Sequence, residues 1–395
     1  FLFRFLLVVL LILEKKIAEL LLNEKKHKEA AVYIDAVLKK HPNDAYGFYL
    51  KGRLLLTENK INEAIDNFKT STKADPNIAY AHYYLGLAYQ ASGNIQTAKS
   101  ELSEAIKLAP AFDGARLALA AIHLINSRDY KLAFQEAQKV LDKYPDHPGA
   151  NLIAGDVRLR EMKPDEAKTY FEKVIKIAPK EPRGYARLGL VYQAKKNNKA
   201  AMEQFEKALA INPELVDVLS MITAIHLANK EPRKAIDGIM VQLKQLPQNP
   251  LLHHLLARTY IVTKDLNRAE ESLKKAIELK NDLIAAYIDI GNIYAQRGNI
   301  DEAIKQYNDT ININPKVIQP YMLLGVIYEK QGNINKAIEN YKKALEINPK
   351  FGPAANNLAW LYVEHSGNID VALSLAETAK ESLPEDPFVS DTLGW

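Results

Sequence analysis

Residues 318–349 read IQPYMLLGVIYEKQGNINKAIENYKKALEINP, and this stretch decides the fold that the sequence predicts. Tyr321, Leu324 and Tyr328 fall at positions i, i+3 and i+7, which is the spacing of one apolar stripe on an α-helix. Gly332 can take the left-handed conformation that commonly ends a helix. A second amphipathic segment follows and ends at a proline, which cannot continue a helix. Two helices this short cannot bury their apolar faces alone, so the pair needs similar neighbours.

The rest of the chain supplies those neighbours at a fixed period. Prolines recur at intervals of 34 or 35 residues, with one double interval of 68 residues. They are Pro42, Pro76, Pro110, Pro145, Pro179, Pro213, Pro247, Pro315, Pro349 and Pro384. In the double interval, Lys280-Asn281 stands where the proline is missing. A period in this range is the signature of a repeat architecture.

Small and aromatic residues keep the same places inside each unit. One unit carries Leu188, Gly189, Tyr192, Ala201, Phe205, Ala208 and Pro213, and another carries Leu324, Gly325, Tyr328, Ala337, Tyr341, Ala344 and Pro349. Glycine in the first helix and alanine in the second allow the two helices to approach closely, and the aromatic residue fills the gap beside them. Period and motif together resemble the tetratricopeptide repeat family. The resemblance implies an all-α fold, a right-handed α-solenoid (superhelix) of stacked antiparallel helix pairs.

We predict two regions in the chain. Residues 1–13 form an apolar N-terminal segment, and residues 14–395 form an array of about eleven units, of which the last is incomplete. The segment reads FLFRFLLVVLLIL, too short to span a bilayer, which takes about 20 residues as a helix. It is interpreted either as the remnant of a signal peptide or membrane anchor, or as a helix packed against the first repeat. Because Leu393-Gly394-Trp395 would leave an apolar face open, we expect the natural protein to continue beyond Trp395.

Four units depart from the pattern, of which the first, from Leu11 to Pro42, is degenerate. The unit that begins at Asp113 has one extra residue before Pro145, and the unit that begins at Gly352 has one extra residue near Gly367-Asn368. The unit that begins at Val216 lacks the usual small and aromatic residues, which predicts atypical packing.

Composition excludes several kinds of function. The chain has no cysteine, and its net charge is only +4 over 395 residues. No thiolate chemistry is available, and no nucleic-acid partner is indicated. No known catalytic motif is present. His253 and His254 are adjacent, but neighbouring helical residues point about 100° apart and chelate a metal poorly. We therefore predict no enzyme activity, no cofactor and no metal site.

The resemblance to tetratricopeptide repeats places a partner on the concave surface lined by the first helices. Carried over position by position, the predicted partner-binding residues are Tyr46, Tyr49, Arg53, Tyr80, Tyr83, Leu87, Leu117, Leu152, Asp156, Leu190, His254, Arg258, Asn292, Met322, Val326, Asn356 and Trp360. This aromatic and aliphatic set suits an extended or helical peptide. The Lys, Asn and Arg clamp that some family members use for chaperone C-termini is not present in three consecutive units.

The leading hypothesis is a non-catalytic scaffold that binds a protein or peptide. The C-terminal units resemble long bacterial tetratricopeptide proteins linked to exopolysaccharide secretion and surface protein sorting. This resemblance implies a place in the bacterial cell envelope, periplasmic or membrane-anchored through the N-terminus; the alternative is the cytoplasm. A second hypothesis is the targeting arm of an enzyme whose catalytic domain lies beyond residue 395. A third is self-association through the open C-terminal repeat.

Overall fold

The computed structural model describes residues 2–366 and 368–394, so the predictions that involve Phe1, Gly367 and Trp395 lie outside the described residues. The described part of the chain is helical throughout, in short antiparallel pairs joined by tight turns. Each first helix lies against the second helix of its own unit, and within Phe1–Asn212 and within Pro213–Trp395 that second helix lies against the next first helix. The predicted all-α stack of helix pairs is therefore confirmed.

Most helices are 13 or 14 residues long, as the repeat predicts. Their bounds are α1 (Leu2–Asn23), α2 (His27–Lys40), α3 (Ala45–Thr57), α4 (Ile61–Ala74), α5 (Ala79–Ala91), α6 (Ile95–Leu108), α7 (Asp113–Ile122), α8 (Tyr130–Lys143), α9 (Pro148–Arg160), α10 (Pro164–Ile177), α11 (Pro182–Ala194), α12 (Asn198–Ile211), α13 (Val216–Ala228), α14 (Pro232–Gln245), α15 (Pro250–Val262), α16 (Leu266–Leu279), α17 (Ile284–Gln296), α18 (Ile300–Ile313), α19 (Ile318–Lys330), α20 (Ile334–Ile347), α21 (Gly352–Leu361), α22 (Ile369–Ser382) and α23 (Pro387–Gly394).

The chain divides into two compact bodies, Phe1–Asn212 and Pro213–Trp395. We call them the N-terminal body, with α1–α12, and the C-terminal body, with α13–α23. The division falls at one of the periodic prolines, between two units. In each body the first helices have odd numbers and the second helices have even numbers.

Every described turn between the two helices of a unit contains one residue with positive φ. These residues are Lys25, Asn59, Gly93, Arg128, Met162, Lys196, Lys230, Lys264, Gly298 and Gly332. After α19, the Gly332 amide donates to the Glu329 carbonyl at 2.9 Å and the Asn333 amide donates to the Tyr328 carbonyl at 2.8 Å. This pair of bonds is a Schellman motif, which satisfies carbonyls that a helix end leaves free. The conformation predicted for Gly332 is confirmed, and the same turn recurs with residues other than glycine.

In five units, a glycine of the first helix lies directly against an aromatic ring of the second helix. A Cβ placed on Gly325 would stand 2.4 Å from Cε1 of Tyr341. The same relationship joins Gly189 to Phe205, also at 2.4 Å. Both rings are fully buried. The two helices of these units therefore approach closely because the ring packs directly against the glycine backbone, as the motif predicts.

The two units with an extra residue accommodate it at the end of the first helix. A π-helical turn, His123–Ser127, continues α7, and a second one, Tyr362–Ser366, continues α21. The Asp129 amide donates to the His123 carbonyl at 2.8 Å across the first of these turns. A π-turn takes one more residue than an α-turn, so the second helix keeps its place in the stack.

The apolar N-terminal segment continues without a break into the first unit, because α1 runs from Leu2 to Asn23. Its later part packs in the core through Ala18, Leu21 and Leu22, whereas Leu10 and Leu13 are more than half exposed. Within the described residues, no helix combines the length and the hydropathy that crossing a bilayer requires.

Candidate protein-binding surface

The first helices form the more closely spaced layer of the N-terminal body. In order, α1 lies against α3, α3 against α5, α5 against α7, α7 against α9 and α9 against α11. The even-numbered helices of the same body show no comparable approach to one another within the described part of the chain. In a curved stack the closer spacing belongs to the inner side, so the first helices provide the inner surface of this body.

Most of the predicted binding residues are accessible on the first helices, but two are not. Tyr80, Arg258 and Asn292 are exposed, whereas Tyr46, Arg53, Tyr83, Leu87, Leu117, Asp156, Leu190, His254, Met322, Val326, Asn356 and Trp360 are half-buried. Tyr49 is 1% exposed and Leu152 is 7% exposed. These two side chains belong to the core beneath the surface, and we remove them from the candidate site. Neighbouring rings and helices cover them, which helical position alone does not reveal.

A continuous group of aromatic rings connects three first helices of the N-terminal body. Its members are Tyr46 and Tyr49 on α3, Tyr80, Tyr83 and Tyr84 on α5, and Phe112 immediately before α7. The Phe112 ring centroid lies 4.6 Å from that of Tyr80 and 4.8 Å from that of Tyr83. These distances are typical of favourable aromatic pairs. We call the accessible members, Tyr46, Tyr80, Tyr83 and Phe112, the aromatic row.

Two members of this group are absent from the predicted set. Phe112 precedes its helix, and Tyr84 occupies a helix position that the carried-over scheme does not include. Their signal in the sequence is the concentration of aromatic residues itself, since AYAHYY at residues 79–84 is followed by Phe112. Only packing between units brings Phe112 onto the rings of α5.

Arg53 holds the rings of α3 and α5 in place. Its Nη2 donates to Asn23 Oδ1 at 2.8 Å, and its Nη1 donates to the Tyr49 hydroxyl at 3.2 Å. The guanidinium also lies 5.0 Å from the ring centroid of Tyr84, within range of a cation–π interaction. Burial raises the pKa of the Tyr49 hydroxyl well above its ordinary value, so the ring stays neutral. The surface is therefore largely preformed.

Beyond the aromatic row, the inner surface becomes charged. Arg187 Nε on α11 donates to Asp156 Oδ1 on α9 at 2.7 Å. Burial raises the pKa of the Asp156 carboxyl, and Arg187, Arg160 and Arg183 act against that rise. Arg183 in turn pairs with Glu181 at 2.8 Å. Asp156, which the sequence analysis selects, is therefore part of an ion-pair network that links two units.

In the C-terminal body, several predicted residues link neighbouring helices. His254 Nε2 on α15 lies 2.8 Å from Asp289 Oδ2 on α17. The Tyr307 hydroxyl donates to Asn292 Oδ1 at 2.8 Å. Met322 and Val326 pack against the cluster around Tyr341. Some of these side chains therefore stabilise the stack while they also face the surface.

Among the described residues, no group of three or more His, Cys, Asp or Glu side chains is placed to hold a metal ion. The adjacent histidines turn to different partners. His253 Nε2 lies 3.0 Å from the Pro247 carbonyl, while His254 contacts Asp289.

Family comparisons identify the repeat in most parts of the chain. Models described as "Tetratricopeptide repeat" match residues 318–351, 79–112 and 252–283, and one described as "TPR repeat" matches residues 52–93 and 291–332. A model described as "Psidin, N-terminal TPR repeats region" matches residues 119–254.

Among curated proteins, the chain is similar to parts of two much longer ones. It is 22% identical over 169 residues to anaphase-promoting complex subunit 3 of Schizosaccharomyces pombe, covering 43% of this chain and 25% of that protein. It is 24% identical over 196 residues to human protein O-mannosyl-transferase TMTC3, covering 49% of this chain and 21% of that protein. The chain thus matches about a quarter or less of each relative's length.

Among solved structures, yeast Tom70 aligns with a TM-score of 0.54 at 14% identity, over 97% of this chain and 95% of that chain. At this identity, the likeness concerns the fold alone. A TPR protein described as having an unusual peptide-binding site, YrrB, aligns with a TM-score of 0.38 at 22% identity, over 47% of this chain and 95% of that chain.

Proposed function

Because the chain is built from tetratricopeptide repeats, we propose that it is a non-catalytic scaffold whose inner surface binds a peptide segment of a partner protein. The observation that carries this proposal is the aromatic row. Tyr80 is 54% exposed although it lies between other rings, and Tyr83 and Phe112 lie beside it. Rigid aromatic side chains supply a large contact area with little loss of conformational entropy on binding.

The arrangement of the row supports a particular form of ligand. Its rings follow one another across α3, α5 and α7, so they contact successive positions of a segment laid across the first helices. An extended chain or one face of an amphipathic helix meets this requirement. Since Arg53 is already engaged by Asn23 and Tyr49, apolar and aromatic contacts dominate at this end of the surface.

Selection from a displayed peptide library against the intact chain tests the proposal. We expect the selected peptides to lose at least about tenfold in affinity, or about 1.4 kcal/mol, when Tyr80 and Tyr83 are both changed to Glu. Tyr144→Glu is the matched control, because Tyr144 is 44% exposed and lies outside the first helices. Peptides that bind the double variant as tightly as the unchanged chain would refute the aromatic row as the site, provided circular dichroism shows both proteins folded.

We further propose that the scaffold works at a bacterial cell envelope, in an assembly for exopolysaccharide secretion or surface protein sorting, with the N-terminal segment as its attachment. The supports are the apolar residues 1–13 and the resemblance of the C-terminal units noted above. Fractionation of cells that express the natural protein tests this, and recovery in the cytoplasmic fraction would contradict it.

An enzyme's targeting arm is the second candidate. The observation in its favour is the similarity to a segment of a protein whose name is that of a mannosyl-transferase. The full-length sequence of the natural protein decides between the two, since a catalytic domain attached to the array would replace the purely scaffolding role.

A further inference from the structure

A cavity of about 240 Å³ in the C-terminal body carries chemistry that differs from that of the aromatic row. Three consecutive first helices line it, with Glu329 from α19, Asn356, Asn357 and Trp360 from α21, and Phe388 and Asp391 from α23. The site therefore exists only when three units are stacked. Asn356 and Trp360 are both among the predicted binding residues, but the sequence does not group them.

The lining contains two carboxylates and no cationic side chain among the residues described. The carboxylate of Glu329 is held in place, because its Oε2 accepts from the Tyr341 hydroxyl at 2.7 Å. That hydroxyl accepts in turn from Asn357 Nδ2 at 3.2 Å. Asp391, on a different helix, also lines the cavity. Two helices thus contribute negative charge to it.

Asn356 adds an acceptor that the fold leaves unused. Its Oδ1 is buried and has no hydrogen-bond partner among the described residues. A buried polar atom without a partner costs about 1–3 kcal/mol, so it calls for an explanation such as a missing ligand. A bound group with N–H donors is a ligand of this kind.

Two aromatic side chains complete the lining. Trp360 is half-buried, while Phe388 is 76% exposed at the rim. A cation placed over such ring faces gains about 0.5–2 kcal/mol, with tryptophan the most favourable ring. The combination of carboxylates, an amide acceptor and ring faces complements a cation rather than an apolar or anionic group.

We propose that this cavity binds the side chain of an arginine of a protein partner. Arginine fits better than lysine, because a planar guanidinium has five donors and can serve Glu329, Asp391 and Asn356 together while it stacks on Trp360. This inference rests on the proposed function, since the arginine belongs to the bound protein. It adds a second contact point, in a different body from the aromatic row.

Titration of the intact chain with N-acetyl-arginine amide, followed by NMR of the tryptophan indole resonances, tests the proposal. Trp395→Phe assigns the Trp360 resonance, since the chain has two tryptophans. We expect a saturable shift of that resonance with the arginine probe. N-acetyl-citrulline amide is neutral and has nearly the same shape, and we expect it to bind at least about tenfold more weakly. Binding of the arginine probe is expected to weaken at high salt.

Glu329→Gln and Asp391→Asn are the test variants, because glutamine keeps an acceptor for Tyr341 while both changes remove charge. Each is expected to weaken arginine binding at least about fivefold. The matched control is Glu346→Gln, a carboxylate on α20 that pairs with Lys343 at 2.8 Å outside the cavity. N-acetyl-lysine amide serves as a third probe and is expected to bind more weakly than the arginine probe. Equal shifts with arginine and citrulline, equal affinity for the arginine and lysine probes, or unchanged affinity in both variants would each overturn the proposal. None of these outcomes bears on the Tyr80 and Tyr83 experiment, so the two proposals fail separately.

Discussion

The ring of Tyr341 occupies the place that a side chain on Gly325 would need, since a Cβ there would stand 2.4 Å from Tyr341 Cε1. The two residues are 16 positions apart, and four other units repeat the arrangement at that spacing. The other pairs are Gly52–Phe68, Gly155–Phe171, Gly189–Phe205 and Gly291–Tyr307. In these five units, one glycine and one ring therefore set the distance between the paired helices.

Gly325→Ala tests how much this contact contributes. We expect the free energy of unfolding to fall by about 1–3 kcal/mol, because the ring must move within a packed core. The change Gly238→Ala is the matched control, since nothing lies within 4 Å of a Cβ at that helical glycine. There alanine is expected to stabilise by about 0.5–1 kcal/mol. Chemical denaturation of both variants provides the measurement.

The loss of local stability caused by Gly325→Ala is expected to be confined to its own unit and the adjacent helices, since repeats couple mainly to their neighbours. Hydrogen exchange by mass spectrometry should show lost protection in α19 and α20 and the helices beside them. Uniform loss of protection along α13–α23 would contradict the expectation that the effect on stability is local to one repeat and its neighbours. Adding Tyr341→Leu to the alanine variant should recover part of the loss, because the clashing ring is then gone.

The repeat made the helix pairs predictable, but it did not determine which side chains are buried. Each helix pair follows from local spacing and a turn residue, as in residues 318–349. Burial depends on what the neighbouring unit places against a side chain. Tyr49 carries the positional signature of a surface residue, yet the rings of Tyr46, Tyr80 and Tyr84 cover it.

The candidate sites were less predictable for the same reason. Phe112 joins the aromatic row only because the start of α7 lies against α5. The proposed arginine-binding cavity is lined by Glu329, Trp360 and Asp391, which come from three units and stand more than 30 residues apart in sequence. A positional rule applied unit by unit finds single residues of such sites and misses their grouping.

The left-handed turns yield a second stability prediction. Met162 has a φ of 61° and its side chain is 83% exposed, so it contributes strain and little packing. A non-glycine residue in this conformation costs roughly 1–2 kcal/mol. Met162→Gly is therefore expected to stabilise the chain by about 1 kcal/mol. The reverse change at the equivalent turn, Gly93→Ala, should destabilise it by a similar amount, as measured by thermal or chemical unfolding. A Met162→Gly variant less stable than the unchanged chain would show that the side chain makes an unrecognised contact.

His82 predicts a pH dependence of stability. Its Nδ1 lies 2.7 Å from Glu101 Oε2, and its Nε2 lies 3.1 Å from the Pro76 carbonyl. The hydrogen bond to Glu101 raises the pKa of His82 above 6.5, against the effect of burial, and Glu104 adds to the rise. The folded state therefore binds the proton more tightly than the unfolded chain does. The stabilisation is full below about pH 6.5 and is lost as the pH rises through the folded-state value.

Unfolding of the unchanged chain and of His82→Gln should be compared from pH 5 to pH 8.5. The stability difference between them is expected to be largest at the acidic end and to shrink as the pH rises. Glu101→Gln should remove most of this dependence, because it removes the acceptor that favours the charged ring. A difference that grows with pH would mean that the ring is neutral in the folded state.

The π-turn at residues 123–127 predicts that the 35-residue unit tolerates a deletion that a 34-residue unit does not. Removing the exposed Asn126 restores the common repeat length, so α7 can end with α-helical hydrogen bonds and still deliver α8 to its place. We expect the unfolding midpoint of this variant to stay within a few degrees of that of the unchanged chain. Ala91 is the exposed residue of the preceding unit that, like Asn126, stands two positions before the left-handed turn residue. Deleting Ala91 shortens α5 and turns its end by about 100°. That deletion is expected to cost at least about 2 kcal/mol. If both deletions destabilise the N-terminal body equally, the π-turn is a required part of its unit rather than the accommodation of one extra residue.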